Sequence, residues 1–125
     1  DLLVEAGFEY TADWILDDQP CEINTDNGTL YSVPYTTELN DIPIMLSQSL
    51  VSSVLYDRTM DYVDVLYEEG KDNVRVMSVA VHPHIHGVPH RIKYFRKIFE
   101  ELSGRPGVVF MTGAQILDWY LAQQD

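Results

Sequence analysis

Short runs rich in β-branched residues alternate along this chain with longer segments of helical periodicity, and this alternation constrains the fold most strongly. The run "VRVMSVAV", residues 74–81, has the composition of a strand buried on both faces. The run "GVVFMT", residues 107–112, precedes a last helical segment. Strands separated by helices predict parallel βα units, and therefore an α/β fold.

The earlier part of the chain continues the same pattern. "FEYTADW", residues 8–14, and "LYSVPYT", residues 30–36, are predicted strands. A helix is predicted after Pro43, with Asp41 as its N-cap rather than as a substrate contact, and a second helix ends at Gly70.

Functional residues of parallel α/β folds lie at the carboxyl ends of the strands. Three segments follow predicted strands in this chain: "DWILDD", "PYTTELND" and "HPHIHG". We therefore expect the functional groups of the chain in these three segments.

Composition narrows the possible partners. The chain has 125 residues, of which 46% are hydrophobic, so one domain over residues 1–125 can form a core. Twenty acidic and eight basic residues give a net charge of −12, which argues against nucleic-acid and membrane partners.

The lone Cys21 cannot form an internal disulfide, and no run approaches the ~18 apolar residues of a membrane span. We expect a soluble, cytoplasmic protein.

The first residues form a separate observation. The chain begins at Asp1 instead of Met and enters at once into a helical pattern. We expect either a processed protein or part of a longer one.

All four histidines lie within "VAVHPHIHGVPHR", and three of them alternate as His82, His84 and His86. On an extended strand they would share one face, and two of them could bind one zinc ion. Alternatively, His82 at the strand end is a general acid or base. In a third interpretation the imidazoles belong to a polar loop. The spacing leaves these three interpretations open.

The acidic segment after the first predicted strand also has two interpretations. Asp13, Asp17 and Asp18 could act as paired carboxylates, but the Asp-Asp-x-Pro sequence is typical of an ordinary turn. Trp14 could form an apolar wall for a ligand or belong to the core.

Four ordered segments, "EAGFEYTADWILDDQP", "VPYTTELNDIP", "HPHIHGVPHRIKYFRKIFEEL" and "GVVFMTGAQILDWY", resemble the later half of NodB-type polysaccharide deacetylases. The resemblance covers essentially the whole chain and is greatest to the allantoinase-like and peptidoglycan-deacetylase-like branch. It implies the later part of a distorted (β/α) barrel. It also implies hydrolysis of N-acetyl groups or related C–N bonds with a divalent metal, commonly zinc.

The resemblance assigns roles to particular residues. His82 and Pro83 match the His-Pro of the family, so His82 becomes the candidate acid that protonates the leaving amine. Asp13, Trp14, Asp17 and Asp18 match a segment that would line the substrate cleft or orient the histidine. The substrate implied is a sugar or a ureide.

The family pattern is incomplete in this sequence. Its aspartate pair and its His-x-x-x-His segment, which supply the water-activating base and the metal ligands, are absent, and Val88 stands where the family often has arginine. We expect no metal site in this chain alone, and activity that requires an amino-terminal half. Its partner would be that half or a second copy of the chain. Two alternatives are a non-catalytic barrel remnant used for binding or assembly, and a small zinc protein built on the histidine cluster.

Overall fold

The structure, a computed structural model, describes residues 1–124 and divides into two compact units. One unit contains residues 1–35 and the chain from Phe110 onward, and the other contains Thr36–Val109. The helices and strands are α1 (Leu2–Glu5), β1 (Tyr10–Thr11), β2 (Cys21–Thr25), β3 (Gly28–Ser32), α2 (Val54–Glu69), α3 (Pro83–His86), α4 (Pro89–Ser103) and α5 (Gly113–Leu121). None of the helices in residues 1–124 has the length and apolar character needed to cross a membrane.

The first unit contains a small mixed sheet with the strand order β1-β3-β2. Strand β1 pairs in parallel with β3, and β2 pairs antiparallel with β3 as a hairpin. Strand β2 was not predicted, because its sequence is polar. Its alternate residues are half-buried and exposed, which is the period of a strand with one face on a core.

The second unit is held by a helical core. Helices α2 and α4 pack against each other. The buried cluster consists of Leu39, Ile44, Leu55, Val63, Ile98 and Leu102. The predicted helix after Pro43 is a five-residue π-helical turn, Pro43–Ser47, and α2 then runs unbroken where two helices were predicted. Between them Ser49 has a φ of 54°, which a right-handed helix excludes.

The predictions of two later strands are wrong for this chain. Residues 74–81 belong to no strand and are exposed or half-buried. Within the described chain, their ladder pairing is one bridge, between Asn40 and Ala80. Residues 107–111 belong to no strand, and Val109 is 73% exposed. A strand needs a neighbouring backbone to form its hydrogen bonds, and few of the described residues pair with residues 74–81 or 107–111.

That single bridge positions the candidate site. The segments that end in Asp41 and His82 run side by side in parallel. The N–H of Asp41 donates to the carbonyl of Ala80 at 3.1 Å, and the N–H of Ala80 donates to the carbonyl of Leu39 at 3.0 Å. Asp41 and His82 therefore leave this pairing at the same end.

Candidate active site

A buried carboxylate forms the centre of the site. Asp41 has no exposed surface, and its Oδ1 lies 2.7 Å from Nδ1 of His82. Its Oδ2 accepts the backbone N–H of the same histidine at 2.8 Å. The side chain of His82 is 37% exposed, so part of the imidazole is open to a ligand while Nδ1 is held.

A second histidine binds the same carboxylate. His86 lies one helical turn after His82, in the short helix α3, and its Nδ1 is 3.1 Å from Oδ2 of Asp41. Its backbone N–H donates to the carbonyl of His82 at 2.9 Å, which closes the turn. His86 is 1% exposed, and its Nε2 is buried without a protein partner.

The hydrogen bonds to Asp41 decide its ionisation. Burial by itself raises the pKa of a carboxyl group, because the charged form loses its hydration. The backbone N–H of His82 and the rings of His82 and His86 outweigh that effect, and together with the charge of His82 they hold the pKa of Asp41 below its ordinary value. Asp41 is therefore an anion at neutral pH.

This ionisation fixes the tautomers of both rings. An ionised carboxylate only accepts hydrogen bonds, so Nδ1 of His82 and Nδ1 of His86 both donate. Nε2 of His82 is then the ring nitrogen left for proton exchange with a ligand. A carboxylate behind an imidazole also stabilises the imidazolium. The arrangement suits His82 to acid or base chemistry.

The interpretation of three histidines on one face of a strand is wrong. His82 still has an extended backbone and α3 begins at Pro83, so His84 and His86 follow helical geometry. His84 is exposed, and its ring stands edge-to-face against that of His82 with centroids 5.8 Å apart. His90 is exposed in the first turn of α4. Across residues 1–124, no three His, Cys, Asp or Glu side chains are grouped so that they could hold a metal ion. The described residues therefore do not fit a metal centre.

The acidic segment of the first unit shows local contacts. Asp13 accepts a hydrogen bond from the hydroxyl of Thr11, and the carboxylate of Asp17 accepts the N–H of Asp18 at 2.7 Å. Both contacts join residues that are one or two positions apart in the chain. Trp14 is 56% exposed, which excludes its assignment to the core of this chain.

Asp41 was assigned to the wrong role. The sequence predicted a helix N-cap, but the turn after it has no side-chain cap, and the backbone N–H of Ile42 is accepted by Asn40 at 2.8 Å. Its partner His82 lies 41 residues further along the chain. One signal for this contact was present: both residues follow predicted strands, at whose carboxyl ends side chains converge.

The comparisons with known proteins were made on sequence and on structure. No protein-family model matches the chain. A Schizosaccharomyces pombe protein that carries the name polysaccharide deacetylase is 32% identical to this chain over 100 residues. These residues are 78% of this chain and 31% of that protein.

Solved structures give the same result. A polysaccharide deacetylase structure from Pseudomonas aeruginosa PAO1 matches with a TM-score of 0.87 and 25% identity, over 98% of this chain and 42% of that one. The structure of the allantoinase PuuE matches with a TM-score of 0.88 and 26% identity, over 97% and 41%. The chain thus spans about a third to two fifths of the length of these relatives. On these likenesses of sequence and fold, the chain belongs to the polysaccharide deacetylase superfamily, in the group that includes allantoinase.

Proposed function

We propose that this chain is part of a metal-dependent hydrolase that removes N-acetyl groups from a polysaccharide or cleaves a related C–N bond. It would supply the general acid, His82, and would be inactive without an amino-terminal half. The observation that carries the proposal is the hydrogen bond of 2.7 Å between Nδ1 of His82 and the buried carboxylate of Asp41. A polarised histidine of this kind is suited to deliver a proton to a leaving nitrogen.

The proposed step uses one proton of His82. Before this step, a water oxygen would bond to the carbonyl carbon and lose a proton to the base of the amino-terminal half. As the C–N bond then breaks and the C=O bond re-forms, the electron pair of the C–N bond passes to nitrogen, and Nε2–H of the imidazolium transfers its proton to that nitrogen. The neutral ring keeps its proton on Nδ1, because the carboxylate of Asp41 accepts there. Asp41 stabilises the imidazolium before the transfer and holds the ring in one orientation.

Metal chemistry is assigned to residues outside the chain. A divalent metal, with zinc as the proposed ion, would polarise the carbonyl and activate water in the complete enzyme. The described residues do not form a metal centre, so no step of the reaction is assigned to a metal held by them.

The substrate contacts and the partner are also part of this proposal. Asp13, Trp14, Asp17 and Asp18 would line the substrate cleft, and Trp14 is exposed enough to pack against a sugar or a ureide. The partner would be the amino-terminal half or a second copy of the chain. The chain itself would form the later part of a (β/α) barrel, and the complete enzyme would work in the cytoplasm. The names of the relatives support both substrate classes, since they include polysaccharide deacetylases and an allantoinase.

The test uses the complete enzyme with a divalent metal. Acetate release from N-acetylglucosamine oligomers and hydrolysis of allantoin are measured side by side. We expect turnover of one substrate class, and a loss of about 100-fold or more in kcat for Asp41→Asn, since the amide no longer stabilises an imidazolium. Hydrolysis of neither substrate would refute the proposed function. Unchanged kcat in Asp41→Asn would refute the role of the Asp41–His82 pair.

A further inference from the structure

We propose that His86 is a positioning residue, whose ring Nδ1–H locks the carboxylate of Asp41 in the rotation that holds His82. This inference rests on the proposed function, because it assigns to His82 the transfer of the proton. It adds a third residue, which no comparison identifies, to the pair of Asp41 and His82. The three residues form one connected network through Oδ1 and Oδ2 of Asp41.

Burial shows that His86 acts through another residue. The side chain is 2% exposed, and Nε2, the ring nitrogen that does not face Asp41, is buried as well. A substrate therefore cannot reach either ring nitrogen of His86. Its polar contact is the hydrogen bond of 3.1 Å to Oδ2, so its effect on a reaction has to pass through Asp41.

The geometry shows what that bond controls. A carboxylate can turn about its Cβ–Cγ bond, and each oxygen needs donors when it is buried. Oδ1 of Asp41 faces the ring of His82, while Oδ2 is held by the backbone N–H of His82 and by His86. Loss of the donor on His86 would leave Oδ2 with less support. The carboxylate would then turn, and the ring of His82 would lose its fixed direction.

The turn that carries His86 is itself fixed in place. Ile85 is buried, and its carbonyl accepts a hydrogen bond of 3.2 Å from Nη1 of Arg91 in α4. At the end of α3, a Cβ on Gly87 would lie 2.3 Å from the carbonyl oxygen of Pro83, so the backbone there packs too closely for a side chain. His86 is thus presented to Asp41 by a rigid element, as a positioning residue requires.

The experiment compares two substitutions at His86 in the complete enzyme. His86→Asn keeps an N–H donor near the place of Nδ1, whereas His86→Leu keeps much of the volume and removes the donor. We expect His86→Leu to lower kcat about tenfold or more with KM within about twofold, and His86→Asn to restore kcat to within about threefold of wild type. His90→Asn, at an exposed histidine outside the network, is the control and should leave kcat unchanged.

Nuclear magnetic resonance of the ring protons gives a second readout that is independent of turnover. In the wild type, Nδ1–H signals of His82 and His86 should both be protected from exchange with water. His86→Asn should keep the His82 signal, and His86→Leu should broaden or remove it. If His86→Leu fails to fold, the ring-proton signals of the wild type and of His86→Asn still test the inference. Absence of the His86 signal in the wild type, or of the His82 signal in His86→Asn, overturns the inference.

Equal kcat in His86→Leu and wild type also overturns it, as does an equal loss in folded His86→Asn and His86→Leu. An enzyme that hydrolyses neither substrate class but shows both protected ring protons would refute the proposed function and retain the positioning by His86. The two proposals therefore fail by different observations.

Discussion

Asp41 binds His82 twice, through the imidazole Nδ1 at 2.7 Å and through the backbone N–H at 2.8 Å. The first contact sets the direction of the ring, and the second sets the position of the backbone that carries it. Two contacts between one pair of residues restrict both translation and rotation. The geometry of the candidate acid is therefore determined before any substrate binds.

The first prediction concerns catalysis by the complete enzyme. His82→Ala should lower kcat by about 100-fold or more with unchanged metal content, because the substitution removes the general acid and no metal ligand. Steady-state kinetics and metal analysis of the purified variant measure both effects.

The matched control is His90→Ala. His90 is exposed at the start of α4 and makes none of the described contacts with Asp41, so its loss should be nearly silent. Equal and small effects of the two substitutions would show that His82 is not the acid.

The second prediction concerns stability in acid. The pKa of Asp41 in the folded protein lies below its ordinary value, near ~3.9 for an unfolded chain. Its contribution to the free energy of unfolding is therefore present above about pH 3.9 and is lost as the pH falls through the lower, folded value. Urea unfolding should show the wild type losing its advantage over Asp41→Asn as the pH is lowered through about 3.9 and further. A constant difference over that range would contradict the prediction.

The third prediction concerns Gly87, which ends the turn that carries the two histidines that bind Asp41. Gly87→Ala would place a methyl group 2.3 Å from the carbonyl oxygen of Pro83, so α3 has to shift. We expect destabilisation of about 1–3 kcal/mol, together with a loss of kcat, because the shift moves His86 in α3 and its neighbour His82. Gly104→Ala is the control, since a Cβ there would lie 3.6 Å from its nearest described neighbour. Equal unfolding free energies for the two variants would exclude the crowding at Gly87.

The fourth prediction concerns association of the isolated chain. Residues 74–81 have little ladder pairing, and Val74, Val109 and Phe110 are exposed apolar residues. Burying several hundred Å² of such surface at about 25 cal/mol per Å² would provide a large driving force for association. Light scattering at micromolar concentration should detect a species larger than 14.3 kDa. A stable monomer that unfolds cooperatively would contradict this expectation.

Helical segments were the most predictable part of the fold. The sequence predicted a helix that ends at Gly70 and a last helical segment after residues 107–112, and α2 and α5 occupy these places, because helical periodicity and flanking glycines are local signals. The later strands failed for the opposite reason. "VRVMSVAV" has strand composition, but a strand also requires neighbouring backbone, and Ala80 finds a single partner residue, Asn40.

The candidate site was predictable in part. His82 was identified from its match to the His-Pro of a known family. Asp41 was assigned to a helix cap, since Pro43 two residues later is a strong local signal for a helix start. Its contact with His82 spans 41 residues and depends on parallel pairing, which leaves no local trace. The zinc interpretation of His86 assumed that the alternating histidines lie on an extended strand. In the structure the chain enters α3 at Pro83 instead.

The bridge between Asn40 and Ala80 also fixes the alignment of the two segments that carry Asp41 and His82. Because side chains alternate along extended backbone, a slip of one residue between the two segments would bring the apolar Val81 to the place of His82. The helices between Asp41 and Ala80 could lengthen or shorten at their exposed turns without altering that alignment. Insertions in the connection should therefore be tolerated far better than a single added residue between Ala80 and His82.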